Sequence, residues 1–334
     1  MLRPAMVSAA VVLLIIVAVG YAALRYMTGV PGEPYRGPLP ALTDTEAALA
    51  AALRRHVETI AAREHNLDHP DELEKVARYI EGVLASCGYA VGRQVFTVAG
   101  KPVRNIDVTI EPAGSPPDPE VVVVGAHYDS VTGSPGANDN ATGSAAVLEL
   151  ARLLADLEGT SRTRIRLVLF VNEEPPYFQT DAMGSLQYAR ALAGRNERVT
   201  AMYSLETIGF YSSAPGSQRY PAPFGLIYPD RGDFIAFVGL LNSRPLVRQT
   251  VRSFRAHAAF PTVGGVAPGF IPGIGWSDHW AFAQHGFQAV MVTDTAIFRY
   301  PHYHLATDTP DKVDFDKLAR VVKGMEHVIR DVAR

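Results

Sequence analysis

From residue 43 onward, apolar residues recur at three- and four-residue intervals through "TDTEAALAAALRRHVETIAARE", the spacing of an amphipathic helix behind a capping Thr-Asp-Thr start. "HPDELEKVARYIEGVLASCGY" repeats the design, with a proline and acids in its first turn and Gly88 at its end. The period then shortens, and "AVGRQVFTVAG" and "VRNIDVTIEP" read as strands of a hairpin or meander. "EVVVVGAHYDSV" is a continuous β-branched run, the signature of a strand buried on both faces. A glycine-rich loop and the amphipathic "ATGSAAVLELARLLADL" follow it. Strand and helix alternate again in "RIRLVLFVN", "MGSLQYARALAG" and "VTAMYSLETIGFY". Residues 212–275 read as irregular, rich in Pro and Gly, with one helix, "SRPLVRQTVRSFRAHA". "QAVMVTD" is a last strand and "DFDKLARVVKGMEHVIRDVAR" a closing helix. This order predicts an α/β fold with a mixed, largely parallel central sheet and helices on both faces.

The pattern differs at the N-terminus. "AMVSAAVVLLIIVAVGYAAL", residues 5–24, is uncharged, with Arg3 before it and Arg25 after it. Its length of about 20 residues matches a ~30 Å hydrocarbon core and exceeds the usual apolar region of a cleaved signal. The expectation is an anchor over residues 1–27, with "GYAAL" leaving signal cleavage as the alternative, which would make the protein secreted. "TGVPGEPYRGPLP" has no apolar period and reads as a Pro/Gly-rich linker, residues 28–42, holding the folded part off the membrane. Residues 43–334 then form one domain, expected outside the cytoplasm on the periplasmic or extracellular side.

Composition narrows the function. Of the 334 residues, 48% are hydrophobic and 19% charged, as in folded globular chains, and the net charge of -3 offers no basic excess for a nucleic-acid partner. The single cysteine, Cys87, cannot form an internal disulfide and reads as a small core hydrophobe.

Candidate chemistry gathers where the strands end, the edge at which open α/β sheets bind ligands. The first long strand ends in His127 and Asp129, and its loop carries Asp139. The second ends in Glu173 and Glu174, and the third in Glu206. "PHYHLATDTPD" adds His302, His304 and Asp308. Each residue alone has an ordinary explanation, as turn chemistry, a cap or a solvated charge. Three strands ending in ligand-type residues on one edge do not. A cation would turn adjacent buried carboxylates from a cost into a requirement. Neighbouring carboxylates point apart, so Glu173 and Glu174 suit divided labour, one on a metal and one facing water. Histidine and carboxylate ligands without cysteine suit catalytic zinc, and one shared carboxylate would give a two-metal site about 3.5–4 Å across.

At these residues the chain resembles the co-catalytic zinc peptidases of family M28, which include bacterial aminopeptidases and relatives of glutamate carboxypeptidase and glutaminyl cyclase. "GAHYDS", "GANDNATGSAAVLELAR", "FVNEE", "MGS", "SLETIGFY", "SDHWAF" and "HLATDTPDKVD" occur in the family's order, from about residue 44 to the C-terminus. The resemblance implies a zinc aminopeptidase-like fold, two zinc ions per chain and a peptide substrate. It makes Asp139 the bridging ligand, gives His127 and Glu206 to one zinc and Glu174 and His304 to the other, and makes Glu173 the general base. It implies that Asp129 orients the site near His127 and Asp308 near His304, that Tyr303 donates to the developing oxyanion, and that Asp278 lies near the pocket. His304 is preferred to His302 because "HxxxDTxDK" keeps the family spacing to Asp308. Two departures stand out. Glu206 occupies a position commonly held by Asp, and "PPYFQTDAM" separates the Glu pair from Gly184 by more than in compact members. The expected activity is removal of N-terminal residues from peptides. A single-zinc glutaminyl cyclase-like acyl transfer and a non-catalytic receptor-like ectodomain are the alternatives.

Overall fold

A computed structural model describes residues 4–334, so Arg3 lies outside the described residues. Chain order runs α1 (Pro4–Thr28), α2 (Asp44–Ile60), α3 (Pro70–Ser86), β1 (Gly92–Val98), β2 (Lys101–Ile110), β3 (Glu120–His127), α4 (Thr142–Leu153), β4 (Arg164–Phe170), α5 (Gly184–Gly194) and β5 (Arg198–Glu206). It continues with β6 (Ile235–Leu240), α6 (Arg244–His257), β7 (Thr262–Ala267), α7 (His279–Gln284), β8 (Ala289–Thr293), α8 (Ala296–Arg299) and α9 (Phe315–Val332). Local chemistry sets several boundaries. The Thr43 hydroxyl accepts from the Glu46 N–H while the Glu46 carboxylate accepts from the Thr43 N–H, a complete capping box for α2. Ala99 and Gly100, both at positive φ, make the two-residue turn between β1 and β2.

One eight-stranded sheet has the order β1-β2-β4-β3-β5-β8-β6-β7. β3 pairs in parallel with β4 and β5, β5 with β8, and β6 with β7, whereas β1–β2, β2–β4 and β6–β8 are antiparallel. The expected mixed, largely parallel sheet is therefore present. The valines of β3 alternate between two cores. Val122 and Val124 face the larger one, with α2, α3, α4, α6 and α9, while Val121 and Val123 face a smaller one with α5 and α7. Both faces being covered explains the unbroken apolar run.

Two strands were not expected. β6 and β7 lie within residues 212–275, read above as irregular apart from one helix. Each has six residues, and β7, "TVGGVA", carries two glycines that weaken a strand pattern. The glycines have a packing role. A Cβ on Gly264 would sit 2.7 Å from Val251 of α6, and one on Gly265 would sit 2.9 Å from the Met27 carbonyl.

α1 is the one candidate membrane span among the described residues. Its side chains from Val11 to Ala23 face outward, with Val11 50% and Leu14 67% exposed, while Thr28 at its end is buried. The segment after it, residues 29–42, runs along the domain. It has no regular structure, so its carbonyls are uncommitted, and arginines of the domain capture them. Arg248 donates to the Gly29 carbonyl, Arg255 to those of Pro31 and Gly32, and Arg320 to that of Pro40. Arg244 donates to the Tyr26 carbonyl at 2.8 Å and lies over the Tyr26 ring at 4.2 Å. The end of α1 is thereby fixed against β7 and α6.

Candidate active site

The parallel strands deliver the site. β3 ends at His127, which is fully buried, and β5 ends at Glu206, one strand away. Just beyond β4, Asn172 takes φ 59° and turns the chain so that Glu173 and Glu174 follow the strand at its rim. Thr207 and His304 also adopt positive φ. Non-glycine residues rarely do so, and such strain concentrates at functional sites.

Asp139 occupies the centre. One oxygen, Oδ1, lies 3.3 Å from His127 Nε2, which is itself 3.4 Å from Glu206 Oε2. The other, Oδ2, lies 3.2 Å from His304 Nε2, which is 3.2 Å from Glu174 Oε2. Two three-residue clusters thus share Asp139: His127–Asp139–Glu206 and Asp139–Glu174–His304, each with its ligand-type atoms within 4.8 Å of one another. Glu173 belongs to neither of these two. It groups with His127 and Glu174, its Oε2 lying 3.8 Å from His127 Nε2. His302 is outside the cluster, its ring nitrogen bonded to Thr307.

The loop carrying Asp139 is held from several sides. The carboxylate of Asp308 accepts from the Asn138 N–H at 2.8 Å and from the Asp139 N–H at 3.1 Å, and it also accepts the Tyr300 hydroxyl. Asn140 accepts from the Gly143 and Thr207 N–H groups and donates to the Leu205 carbonyl, tying the loop to the end of β5. Gly136 has φ 68°, and a Cβ there would lie 2.5 Å from the Asp139 carbonyl oxygen. Asp308 therefore supports the Asp139 loop, a different contact from the one expected near His304. Asp129 likewise does more than sit beside His127. Its two oxygens accept from the N–H groups of Glu173 and Glu174 at 3.1 and 3.3 Å, while its own carbonyl lies 3.1 Å from His127 Nδ1. Tyr303 stacks on His304 with ring centroids 3.8 Å apart. Asp278 is fully buried, and neither of its carboxylate oxygens has a partner among the described residues.

Three supports were not anticipated. The Ser277 hydroxyl donates to Glu206 at 2.7 Å and meets that of Ser204. Asp294, one residue past β8, accepts from the Asn138 side chain and the Phe210 N–H. Asn140, within a quoted motif, was not singled out. Asp294 sits at the end of "QAVMVTD", so the strand-end pattern used for the other acids pointed to it as well.

The electrostatics of the cluster favour a cation among its carboxylates. Burial, with Glu206, Glu174 and Asp278 nearby, pushes Glu173 well above the carboxylate range against the pull of His127. Burial and the neighbouring Asp139 push Glu174 up to about 8. Burial also raises Glu206, and raises Asp278 to about 7. Asp139 goes the other way, because the imidazoles of His127 and His304 facing its two oxygens outweigh its burial. Burial disfavours charge on the histidines too. The carboxylates overcome this, lifting His127 well above its usual value and His304 to about 10. Nε2 of both histidines and Oε1 of Glu174 are buried without hydrogen-bond partners. Buried polar atoms are seldom left so, and imidazole nitrogens facing carboxylates form a donor set suited to zinc. The residues fit that ion.

Beside Glu206 and Tyr303 opens an apolar cavity whose walls include Tyr228, Val238, Val266, Ile274, Met291 and Phe298.

Comparison with known proteins identifies the family and the fold. The family model described as Peptidase family M28 matches residues 105–329. The uncharacterized protein YfbL of Escherichia coli strain K12 is 40% identical over 305 residues, covering 88% of this chain and 91% of that protein. Leucine aminopeptidases of Trichophyton species also match, the chain spanning about half the length of several. Among solved structures, the aminopeptidase from Aneurinibacillus sp. strain AM-1 has a TM-score of 0.64 at 18% identity, covering 85% of this chain and 94% of that one. The glutaminyl cyclase of Fimbriiglobus ruber has a TM-score of 0.62 at 20% identity, covering 90% and 98%. The fold is thus shared by an aminopeptidase and a cyclase, and it is the family match, spanning every residue of the paired clusters, that decides membership: this chain belongs to peptidase family M28.

Proposed function

We propose that the chain is a membrane-anchored zinc aminopeptidase, with residues 1–27 as anchor, 28–42 as connecting segment and 43–334 as a peptidase domain outside the cytoplasm. The observation that carries the reading is the pair of His/carboxylate clusters sharing Asp139, with Glu173 beside them. His127, Asp139 and Glu206 would hold one zinc, and Asp139, Glu174 and His304 the other. Three protein ligands per ion suit a catalytic rather than a closed structural site. Zinc bound there supplies Lewis acidity, making water a nucleophile near neutral pH and polarising the scissile carbonyl.

The chain's own residues supply the rest. Glu173 accepts a proton from the attacking water and returns it to the leaving amine. Asp129, through the N–H groups of Glu173 and Glu174, keeps the two carboxylates in their separate directions. Ser277 fixes the rotamer of Glu206, which accommodates the longer side chain at a position commonly Asp. Burial and the surrounding acids hold the Tyr303 hydroxyl protonated, so it is available as a donor to the oxyanion. The cavity beside Glu206 suits an apolar side chain of the N-terminal residue.

The test is a panel of aminoacyl p-nitroanilides given to the full chain in detergent micelles. Leucine and methionine substrates should turn over, with aspartate and lysine substrates much poorer. Chelation should stop the reaction and zinc restore it, and N-acetylation of the substrate should abolish it. Likeness to a glutaminyl cyclase supports a second reading. Cyclisation of N-terminal glutaminyl peptides without hydrolysis of the others would establish that reading and exclude the first.

A further inference from the structure

Among the described residues, the two most exposed large apolar side chains are Leu226 and Phe270, at 87% and 86%. Ile227 and Leu241 are each 43% exposed. None belongs to the cavity wall beside the site. All four spring from segments that touch β6 or β7, where α1 arrives. Leu241 follows Leu240, the last residue of β6, whose register partner is Ala267, the last of β7. Phe270 follows Gly269, whose added Cβ would meet Leu240 at 3.5 Å. Leu226 and Ile227 precede Tyr228, whose hydroxyl donates to the Gly264 carbonyl. At Gly265 an added Cβ would meet both that hydroxyl and the Met27 carbonyl. The same corner carries Arg244 stacked on Tyr26, and Tyr21 and Arg25 lie within the last turns of α1. Tyrosine and arginine at the end of an apolar span mark the headgroup level.

We propose that these side chains form a second membrane contact, seated in the interfacial region of the leaflet from which α1 emerges. The proposal rests on the reading of α1 as an anchor. The occupant follows from the fixation of α1. Because Arg244, Arg248 and Arg255 clamp residues 26–32 to α6, the domain cannot lift away on a flexible stalk. Apolar side chains beside the emerging helix are then carried to the lipid rather than to water, and their exposure is no longer a cost. The cavity wall shares Tyr228 and Val266 with this corner, so the apolar route to the site begins close to the bilayer. The substrates this geometry favours are peptides whose N-termini lie at a membrane surface.

The test uses the full chain in phosphatidylcholine–phosphatidylglycerol vesicles, with Cys87→Ser as background. Single cysteines at Leu226→Cys, Leu241→Cys and Phe270→Cys carry the fluorophore NBD. Arg78→Cys on α3, near the opposite sheet edge, is the control and also counts outward-facing chains. Dithionite should reduce the three labels at least tenfold more slowly than the control, and lipids brominated on their acyl chains should quench those three alone. Reduction at the control's rate overturns the proposal. Protection without quenching also overturns it and points to a protein partner or a second copy. If alkaline carbonate strips the chain from the vesicles, the anchor reading fails and this inference with it. Retention with water-exposed labels sinks the membrane contact alone, and neither result bears on the peptidase assay.

Discussion

Replacing Glu173 by glutamine should separate catalysis from metal binding. Glu173 is 6% exposed, lies 3.8 Å from His127 Nε2, and belongs to neither cluster built on Asp139. Glutamine preserves its shape and the backbone N–H bond to Asp129, but it cannot accept a proton. General acid–base catalysis contributes about 10²–10⁴ in rate, which at 1.36 kcal/mol per decade is about 3–5 kcal/mol of barrier. Stability should move the other way. Burial and the acids around it disfavour charge on Glu173, so an uncharged amide relieves repulsion in the metal-free protein. The chelator-treated variant should therefore melt at or above the wild-type temperature while its kcat falls. Glu174→Ala should behave differently. It removes a cluster member, so bound zinc should fall by about one ion per chain, and excess zinc should recover part of the activity. Elemental analysis, thermal melts with and without chelator, and leucine p-nitroanilide turnover read all three quantities. Equal zinc loss in both variants, or a Glu173→Gln enzyme within tenfold of wild type, would refute the division of labour.

Three further outcomes test other parts of the site. Asp129→Ala should lower activity or zinc affinity by about 10–100-fold with the fold retained, because it frees the backbone of both glutamates; circular dichroism and zinc titration check it. Two helix glycines should respond with opposite signs to alanine. Gly82 in α3 has open space, so Gly82→Ala should stabilise by about 1 kcal/mol. An added Cβ at Gly143 in α4 would lie 2.3 Å from the Leu205 carbonyl oxygen, so Gly143→Ala should destabilise by about 1–3 kcal/mol in denaturant melts. Zinc uptake at pH 7 should release protons. The metal-free chain holds protons on His127, lifted well above its usual value, on His304, raised to about 10, and on Glu174, raised to about 8, and all must leave for ligation. Affinity should rise with pH through that range, and calorimetry in buffers of different ionisation enthalpy should show the release.

Much of this architecture was legible because burial on both sheet faces writes unbroken apolar runs, and β3, β4 and β5 carry them. The ends of those runs located His127, Glu173, Glu174 and Glu206. β6, "IAFVGL", escaped because so short an apolar run has no period to tell strand from helix, and β7 because its paired glycines erase the pattern while serving close packing against α6 and residues 27–30. Asp139 and His304 were visible only as ligand-type residues in loops, where periodicity says nothing, and the family motif supplied the shared role of the first and the preference for the second over His302. The supporting contacts were the least legible. Asp308 reaches back 170 residues to Asn138, and Ser277 reaches 71 residues to Glu206. Spacing along the chain carries no trace of such pairings. The arginines that hold residues 26–32 looked like the polar face of a helix, because their acceptors are main-chain carbonyls rather than acids.

The reach of Asp308 bears on when the site can exist at all. A chain that leaves its ribosome or translocon N-terminus first presents His127, Asp139, Glu174 and Glu206 long before residues 304–308 have emerged. Until Asp308 arrives, the N–H groups of Asn138 and Asp139 lack their acceptors, and the loop carrying the shared carboxylate has nothing to hold its path. Pairing of such high sequence separation is slow and comes late in folding. The acids of the unfinished chain would meet metal ions only as loose, separate groups. Any capture of metal at the shared carboxylate is thereby timed to the arrival of residues 304–308, in whichever compartment that segment folds.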